Sequence, residues 1–160
     1  MEPITDALRE FLASIDTSFI ATASADGEPY VQHRGGPRGF IRALDDHTLG
    51  FPDLAGNRQY LTVGNLAEND RVCLFLIDYA RQRRVKVWGR ARVVPPSPDL
   101  VAELGPLPPR ARVERVVLIT VERWDVNCPA HIPRKVNVDD LIAAGVSPEA
   151  VLAGHPRRAR

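Results

Sequence analysis

The apolar positions at the start of the chain recur with the spacing of an amphipathic helix. They are Ile4, Leu8, Phe11, Leu12 and Ile15. Pro3 precedes them at a place where the first turn of a helix tolerates proline. The pattern therefore predicts a helix over residues 3–15, with one face turned toward the rest of the protein.

The next part of the chain is typical of two β-hairpins. The four segments rich in β-branched or apolar residues are 18–24, 30–34, 40–44 and 48–52. Asp26-Gly27, a strong hairpin signal, lies between the first two, and the polar turn 45–47 lies between the last two. The glycine-rich segment 35–39 is a loop that connects the hairpins.

The middle of the chain predicts a short helix and a second pair of strands. The spacing of Leu61, Val63 and Leu66 favours a helix over 58–66, with Asn57 as its N-cap. Residues 72–79 are apolar on both faces, whereas 84–94 alternate strictly between apolar and mostly basic positions. Gly89, at the centre of that second strand, predicts a bulge or bend.

A short helix between proline-rich breaks and a last strand over 113–125 complete the pattern, and short helices follow in the tail. Six or seven strands joined mainly by hairpins favour a mainly β fold with flanking helices, an antiparallel split β-barrel, over a parallel βαβ sheet. We expect one domain over 1–160, with its core at about 18–125 and a helical tail over 126–160.

Composition and charge exclude several classes of function. The net charge is +1 and aromatic residues make up 6% of the chain, so a cationic groove with stacking platforms for nucleic acid is not expected. The sequence shows neither a signal peptide nor a transmembrane segment, which predicts a cytoplasmic protein with Cys73 and Cys128 reduced. Cys128 and His131 are too few ligands for a structural metal.

Candidate chemistry concentrates in two polar stretches, because no dinucleotide, P-loop, hydrolase or zincin motif occurs. Asn57-Arg58, at the predicted helix start, suits an anion such as a phosphate, although the spacing alone favours a common helix cap followed by a solvated arginine. Gln32-His33-Arg34 lies at the end of a strand, where its side chains and amides can contact a ligand ring lying across the mouth of the barrel. The alternative is an ordinary polar strand end. The basic residues Arg84, Lys86 and Arg90 line a functional face or a solvated one.

Three segments, GEPYVQHRGG, FPDLAGNRQYLTVGNLAEND and RRVKVWGRARVV, resemble the pyridoxamine 5′-phosphate oxidase-like family of flavin-binding split barrels in order and spacing. The resemblance covers about 18–125, and NCPAHIPR at 127–134 is similar to the tail of one bacterial branch of that family. It implies an FMN-dependent oxidoreductase that is a homodimer, with two flavins in the interface, each contacted by both chains.

The resemblance also implies roles for particular positions. Gln32, His33 and Arg34 would lie along the ring and ribityl chain of the flavin. Phe51 and Pro52 would lie under the ring, and Asn57 with Arg58 at the phosphate. The partner subunit would approach through Arg84, and through Trp124 and His131 as weaker candidates.

The chain also departs from the oxidase pattern. The tail after Asp125 does not resemble the oxidase's C-terminal clamp for pyridoxal phosphate, so we do not expect activity on pyridoxamine phosphate. Gln59 stands where the oxidase has a second consecutive basic residue, which leaves Arg34 or Arg38 as a possible second cation. The alternatives are a reductase that uses the deazaflavin F420 on the same barrel and a non-catalytic barrel that binds flavin or haem.

Overall fold

The computed structural model describes residues 1–56, 59–105 and 107–149, and a single antiparallel sheet runs through them. Its strands are β1 (Thr17–Ala23), β2 (Pro29–Gly35), β3 (Arg42–Ala43), β4 (Thr48–Leu54), β5 (Arg71–Asp78), β6 (Arg83–Val94) and β7 (Val113–Asn127). The helices are α1 (Asp6–Ser14), α2 (Leu61–Glu68), α3 (Pro98–Glu103) and α4 (Val138–Ala143).

The strands are arranged in the order β2-β1-β5-β6-β7-β4-β3, and every neighbouring pair is antiparallel. The two outermost strands, β2 and β3, do not pair with each other within the described residues, so the sheet curls without closing. This arrangement confirms the predicted split β-barrel with flanking helices.

Helix α1 packs its apolar face on the inside of the curled sheet. Thr5 caps the helix by accepting a hydrogen bond from the Leu8 amide at 3.4 Å. Leu8 and Leu12 are each 2% exposed and Phe11 is 3% exposed. Burial of side chains of this size contributes roughly 1.5–3 kcal/mol each, which fixes the helix against the core.

Gly89 marks the sharpest irregularity of the sheet, as its position in an alternating strand predicts. The register between β6 and β7 shifts between Trp88 and Gly89. A Cβ atom at Gly89 would lie 2.1 Å from the carbonyl oxygen of Thr120, so no residue with a side chain fits there. The close approach of the two backbones lets β6 and β7 bend, which curls the sheet.

Three of the predicted elements are wrong in extent. The helix expected over residues 3–15 begins only at Asp6, because Thr5 is its N-cap. Of the strand expected over 40–44, only Arg42–Ala43 pairs, because Phe40 and Ile41 are buried in the core in front of it. The helix expected at residue 58 begins at Leu61, with Tyr60 rather than Asn57 as its N-cap. Strand β4 continues to Leu54, and the Ala55 amide still bonds the Arg112 carbonyl at 2.9 Å, so the chain must turn before a helix can start.

The tail returns across the turn between β5 and β6. The Gln82 side chain donates to the Ile132 carbonyl at 2.6 Å, and the Lys135 amide donates to the Tyr79 carbonyl at 3.4 Å. Ile132 is buried, at 5% exposure. The first part of the tail is therefore packed on the barrel. In the described residues, no helix is long and apolar enough to cross a bilayer.

Candidate functional site

The alternation of strand β2 divides the polar triplet at residues 32–34 between the two faces of the sheet. Gln32 and Arg34 pair across the ladder with Ile20 and Ser18, which are both 0% exposed, so these two side chains lie on the inner face. His33 lies on the outer face, where its ring meets the edge of Phe19 at 5.6 Å between centroids. The triplet therefore offers two side chains to one site and one to another.

Arg34 lies at the centre of the inner polar network. Its Nη1 lies 2.6 Å from Asp53 Oδ1, and its Nη2 donates to Gln32 Oε1 at 2.9 Å. Asp53 is 6% exposed and also faces Arg115, at 3.4 Å. The Nε of Arg34 is buried and has no hydrogen-bond partner among the described residues. A buried donor of this kind needs a partner, which a ligand can provide.

A cavity of about 120 Å³ opens between this network and the start of helix α2. Gln32, Arg34 and Asp53 form one wall, and Thr62 and Val63 from the first turn of α2 form another. Tyr60, the N-cap residue, makes no capping hydrogen bond with its side chain. The positive end of the α2 dipole thus lies beside the cavity, together with the half-buried Arg34 guanidinium, and both favour an anionic group.

The rim of the cavity is a cluster of charged side chains contributed mainly by β7 and the residues just before it. The guanidinium of Arg115 lies over the Tyr60 ring at 4.6 Å, and the Tyr60 hydroxyl donates to Glu114 Oε2 at 3.3 Å. The side-chain hydrogen bond from Arg112 holds the pKa of the Glu114 carboxyl below its usual range. The two carboxylates of the network, Asp53 and Glu114, are paired with three arginines, Arg34, Arg112 and Arg115. Within the described residues the network therefore has one excess positive charge, which is little to attract a dianion.

Sequence reasoning missed Asp53, Thr62 and Arg115 as members of this site. Asp53 and Arg115 are 62 positions apart and meet only because β4 pairs with β7. Thr62 is 1% exposed on a helix whose apolar spacing gives no sign of a polar role. Asp53 lies within the FPDLAGNRQY segment, and its place next to Phe51 and Pro52 was the only available signal.

The structure separates Phe51 from Pro52. Phe51 is 0% exposed in the core, with the Arg34 guanidinium 6.0 Å from its ring centroid. Pro52, on the other face of β4, borders a small pocket with Gly35 and Gly36. Only Pro52 has a surface that a ligand can reach. Asn57 and Arg58 lie outside the described residues.

The outer face of the sheet presents apolar and basic side chains together. Trp88 lies between the Arg123 guanidinium, 3.9 Å from the ring centroid, and the Lys86 ammonium, at 5.9 Å. Phe19 and Phe75 lie 6.4 Å apart, and Val31 is 60% exposed. We call this surface the outer face; it comprises the outward residues of β2, β1, β5 and β6, namely Val31, His33, Phe19, Ala21, Cys73, Phe75, Arg84, Lys86 and Trp88.

Two further features belong to the outer face. Burial raises the pKa of the Cys73 thiol, against opposing effects of Lys86 and Arg123, which keeps it protonated at neutral pH. Arg84 lies at the end of this face, opposite Asn127, and its buried Nε lacks a hydrogen-bond partner in the part of the chain that the structure describes. Both cysteines are free.

Trp124 and His131, the weaker candidates, do not line the cavity. The Trp124 indole nitrogen donates to the Pro3 carbonyl at 3.0 Å, and its backbone amide donates to Glu2 at 2.9 Å, so this residue holds the N-terminal segment of its own chain. His131 is exposed in the tail loop with a φ of 65°. Arg38, considered as a second cation, forms an ion pair with Asp140 of the tail.

Comparisons with known proteins agree on a family and on a fold. The sequence model of the family described as "Pyridoxamine 5'-phosphate oxidase" matches residues 4–128. No curated protein matches the chain.

Solved structures resemble the chain at low sequence identity. HupZ of Group A Streptococcus is 20% identical, with a TM-score of 0.59 over 84% of this chain and 99% of that one. General stress protein 26 of Bacillus anthracis is 15% identical, with a TM-score of 0.54 over 73% and 88% of the chains. An F420 reductase is 23% identical, with a TM-score of 0.51 over 73% and 94%. At these identities the likeness shows a shared fold.

Proposed function

The chain belongs to the pyridoxamine 5′-phosphate oxidase family, and from that membership we propose that it is an FMN-binding oxidoreductase whose cofactor phosphate lies in the cavity between β2 and α2. The observation that carries the proposal is the Arg34 guanidinium, whose buried Nε has no partner among the described residues, beside a helix start without a side-chain cap. When bound, the flavin supplies hydride and electron transfer, and the protein supplies orientation and electrostatics.

The hydrogen-bond donors that line the cavity are of the types that bind a phosphate. Arg34 supplies a planar cation, and the first turn of α2 supplies backbone amides and a positive dipole end. The pairing of Arg34 with Asp53 limits the attraction, because the carboxylate already neutralises that cation. Arg58, two positions before the N-cap in sequence, is the proposed source of the additional charge, with Asn57 beside it.

We propose that the ring of the flavin extends from this cavity toward Pro52 and the loop at 35–39, between two subunits. In this arrangement His33, Arg84 and His131 act at or near the partner's share of the interface, and Phe51 supports the ring from the core. Trp124 has no role there, because it pairs with the inward-facing Val87 and holds the N-terminal segment of its own chain. The organic substrate is not pyridoxamine phosphate, because the tail lacks the resemblance to the oxidase's clamp. We propose an oxidoreductase that takes a small-molecule electron donor or substrate and that acts in the cytoplasm.

The outer face supports a homodimer. It combines half-buried aromatic side chains with Val31, which is 60% exposed. These residues lie on β2, β1, β5 and β6, the four strands at one edge of the sheet. A stable dimer buries about 800 Å² on each partner, and an apolar surface with basic residues at its margin suits a two-fold contact. The segment 72–79 was predicted to be apolar on both faces, and strand β5, which covers most of it, contributes Cys73 and Phe75 to the outer face.

Variants on the two faces of the sheet test the dimer. Val31→Asp places a charge on the outer face, and we expect monomers in light scattering together with weaker FMN binding. Val126→Asp is the matched control, because Val126 is 51% exposed and pairs with the inward-facing Val85. A Val31→Asp protein that stays dimeric with unchanged flavin affinity contradicts this interface.

Titration of the cofactor-free protein tests the cofactor. We expect FMN to bind with one site per subunit and riboflavin to bind more weakly by about 2 to 3 kcal/mol, or roughly 30- to 140-fold in Kd, which is the contribution of charge-assisted contacts to a phosphate. Parallel titration with F420 distinguishes the deazaflavin alternative. Equal Kd values for FMN and riboflavin exclude a phosphate site. Tighter binding of F420 than of FMN shows that F420, not FMN, is the cofactor.

A further inference from the structure

We propose that Thr62 is a positioning residue that orients the Gln32 side chain as a hydrogen-bond donor to the phosphate of the bound cofactor. The inference rests on the proposed function and deepens it. Thr62 lies in the first turn of α2 and is 1% exposed. Its side chain donates a hydrogen bond to Gln32, and no hydrogen bond among the described residues joins it to Arg34.

The Gln32 carbonyl oxygen accepts two hydrogen bonds. Thr62 Oγ1 lies 2.6 Å from Gln32 Oε1, and Arg34 Nη2 donates to the same atom at 2.9 Å. An amide oxygen has two lone pairs, so both are used. Because the guanidinium can only donate, the atom facing it must be the oxygen, and the Thr62 hydroxyl must donate as well.

The amide nitrogen is thereby directed away from both partners. Gln32 lines the cavity, and its Nε2 makes no hydrogen bond to any residue in the described ranges. Its two N–H groups are available to a ligand next to the Arg34 guanidinium. A group that only accepts hydrogen bonds, such as a phosphate, fits these donors, whereas a neutral hydroxyl would use them only in part.

Thr62 gives this orientation its stability. With Arg34 as the only donor, one lone pair of Oε1 would lack a partner, and a single hydrogen bond would leave the Gln32 side chain free to pivot about that contact. The hydroxyl removes that freedom before the ligand arrives, so less rotamer entropy is lost on binding. The first turn of α2 therefore acts on the phosphate in two ways, through its dipole and through Gln32.

Three variants test the role of Thr62. Thr62→Val removes the hydroxyl at nearly the same volume, and we expect the Kd for FMN to rise about tenfold while the Kd for riboflavin stays within twofold. Thr62→Ser keeps the hydroxyl and should restore FMN binding. Thr22→Val is the matched control, because the Thr22 hydroxyl, 5% exposed, also ties α2 to the barrel by accepting from Asn65 at 3.0 Å.

The outcomes separate positioning from a structural role. The relevant quantity is the Kd for riboflavin divided by the Kd for FMN. The proposal is overturned if Thr62→Val leaves this ratio unchanged, if Thr62→Ser fails to restore it, or if Thr22→Val lowers it as much as Thr62→Val does. A second readout uses inorganic phosphate as the probe and the side-chain amide signal of Gln32 in NMR. The signal should shift in the wild type and in Thr62→Ser but not in Thr62→Val.

The two readouts also separate this inference from the proposed function. A wild-type protein that binds no flavin overturns the function, whatever the NMR shows. A wild type that binds FMN but whose Gln32 signal does not respond to inorganic phosphate overturns the role of Thr62 and leaves the flavin site standing.

Discussion

Arg34→Met removes the cation from the inner polar network and leaves an unbranched apolar side chain that reaches about as far as the Arg34 Nε. In the wild type, Arg34 meets Asp53 at 2.6 Å with side-chain exposures of 16% and 8%. Without Arg34, the ion-pair partner that Asp53 keeps among the described residues is Arg115, at 3.4 Å. Loss of one partner of a buried ion pair costs about 3–5 kcal/mol because the other charge stays buried. The remaining contact to Arg115 offsets part of this, so we expect the free energy of unfolding to fall by about 3 kcal/mol.

Equilibrium urea unfolding, followed by tryptophan fluorescence at one protein concentration, measures this loss. Arg90→Met is the matched control, since Arg90 makes two ion pairs, at 2.8 and 3.0 Å, with exposures of 48% throughout. Exposed pairs contribute about 1 kcal/mol or less. In the double variant Arg34→Met/Asp53→Asn, the unpaired charge is gone. Its free energy of unfolding should therefore fall by about 2 kcal/mol less than the sum of the decreases in the two single variants.

The same variants report on the cofactor. Arg34→Met should also abolish the preference for FMN over riboflavin, whereas Arg90→Met should retain it. The reasoning is refuted if Arg34→Met costs no more stability than Arg90→Met, or if the two losses in the double variant simply add. An Arg34→Met protein that folds and keeps the FMN preference removes this residue from the phosphate site.

Two further changes test the fold and its pH dependence. Gly89→Ala forces a Cβ to within 2.1 Å of the Thr120 carbonyl oxygen and should cost about 3 kcal/mol or more in urea unfolding, whereas Gly64→Ala, with nothing within 4 Å, should change stability by less than about 1 kcal/mol. Burial opposes ionisation of Asp78, but hydrogen bonds from Arg81 outweigh it and hold the pKa of this carboxyl below its ordinary value. The stability that this ionised group adds is therefore present at neutral pH and is lost as the pH falls through the lowered pKa. Asp78→Asn should cost about 1–2 kcal/mol at pH 7, and the difference from the wild type should shrink below about pH 4; a constant difference across that range contradicts the assignment.

The elements that depend on local pattern were predictable. The alternation of residues 84–94, interrupted by Gly89, correctly indicates a bent barrel strand, because a glycine in such a strand permits a close backbone approach. The start of α2 was not predictable, since it depends on how far β4 pairs with β7. The spacing of Leu61, Val63 and Leu66 carries no information about that long-range pairing.

The candidate site was predictable only in part, for a similar reason. The period of two in a strand places Gln32 and Arg34 on one face and His33 on the other, so treating the triplet as one unit concealed a separation that the sequence itself implies. Thr62 reaches Gln32 across 30 positions, and Arg115 reaches Asp53 across 62. Such partners are determined by the topology of the sheet, which the local pattern does not specify.

The measurement that tests the central claim most directly is a crystal structure of the protein with bound FMN. It should show the phosphate in the cavity between β2 and α2, with an oxygen within hydrogen-bond distance of Arg34 Nε and of Gln32 Nε2, and the ring between two subunits. A phosphate bound away from the start of α2, with Arg34 still paired only to Asp53 and Gln32, would contradict the account.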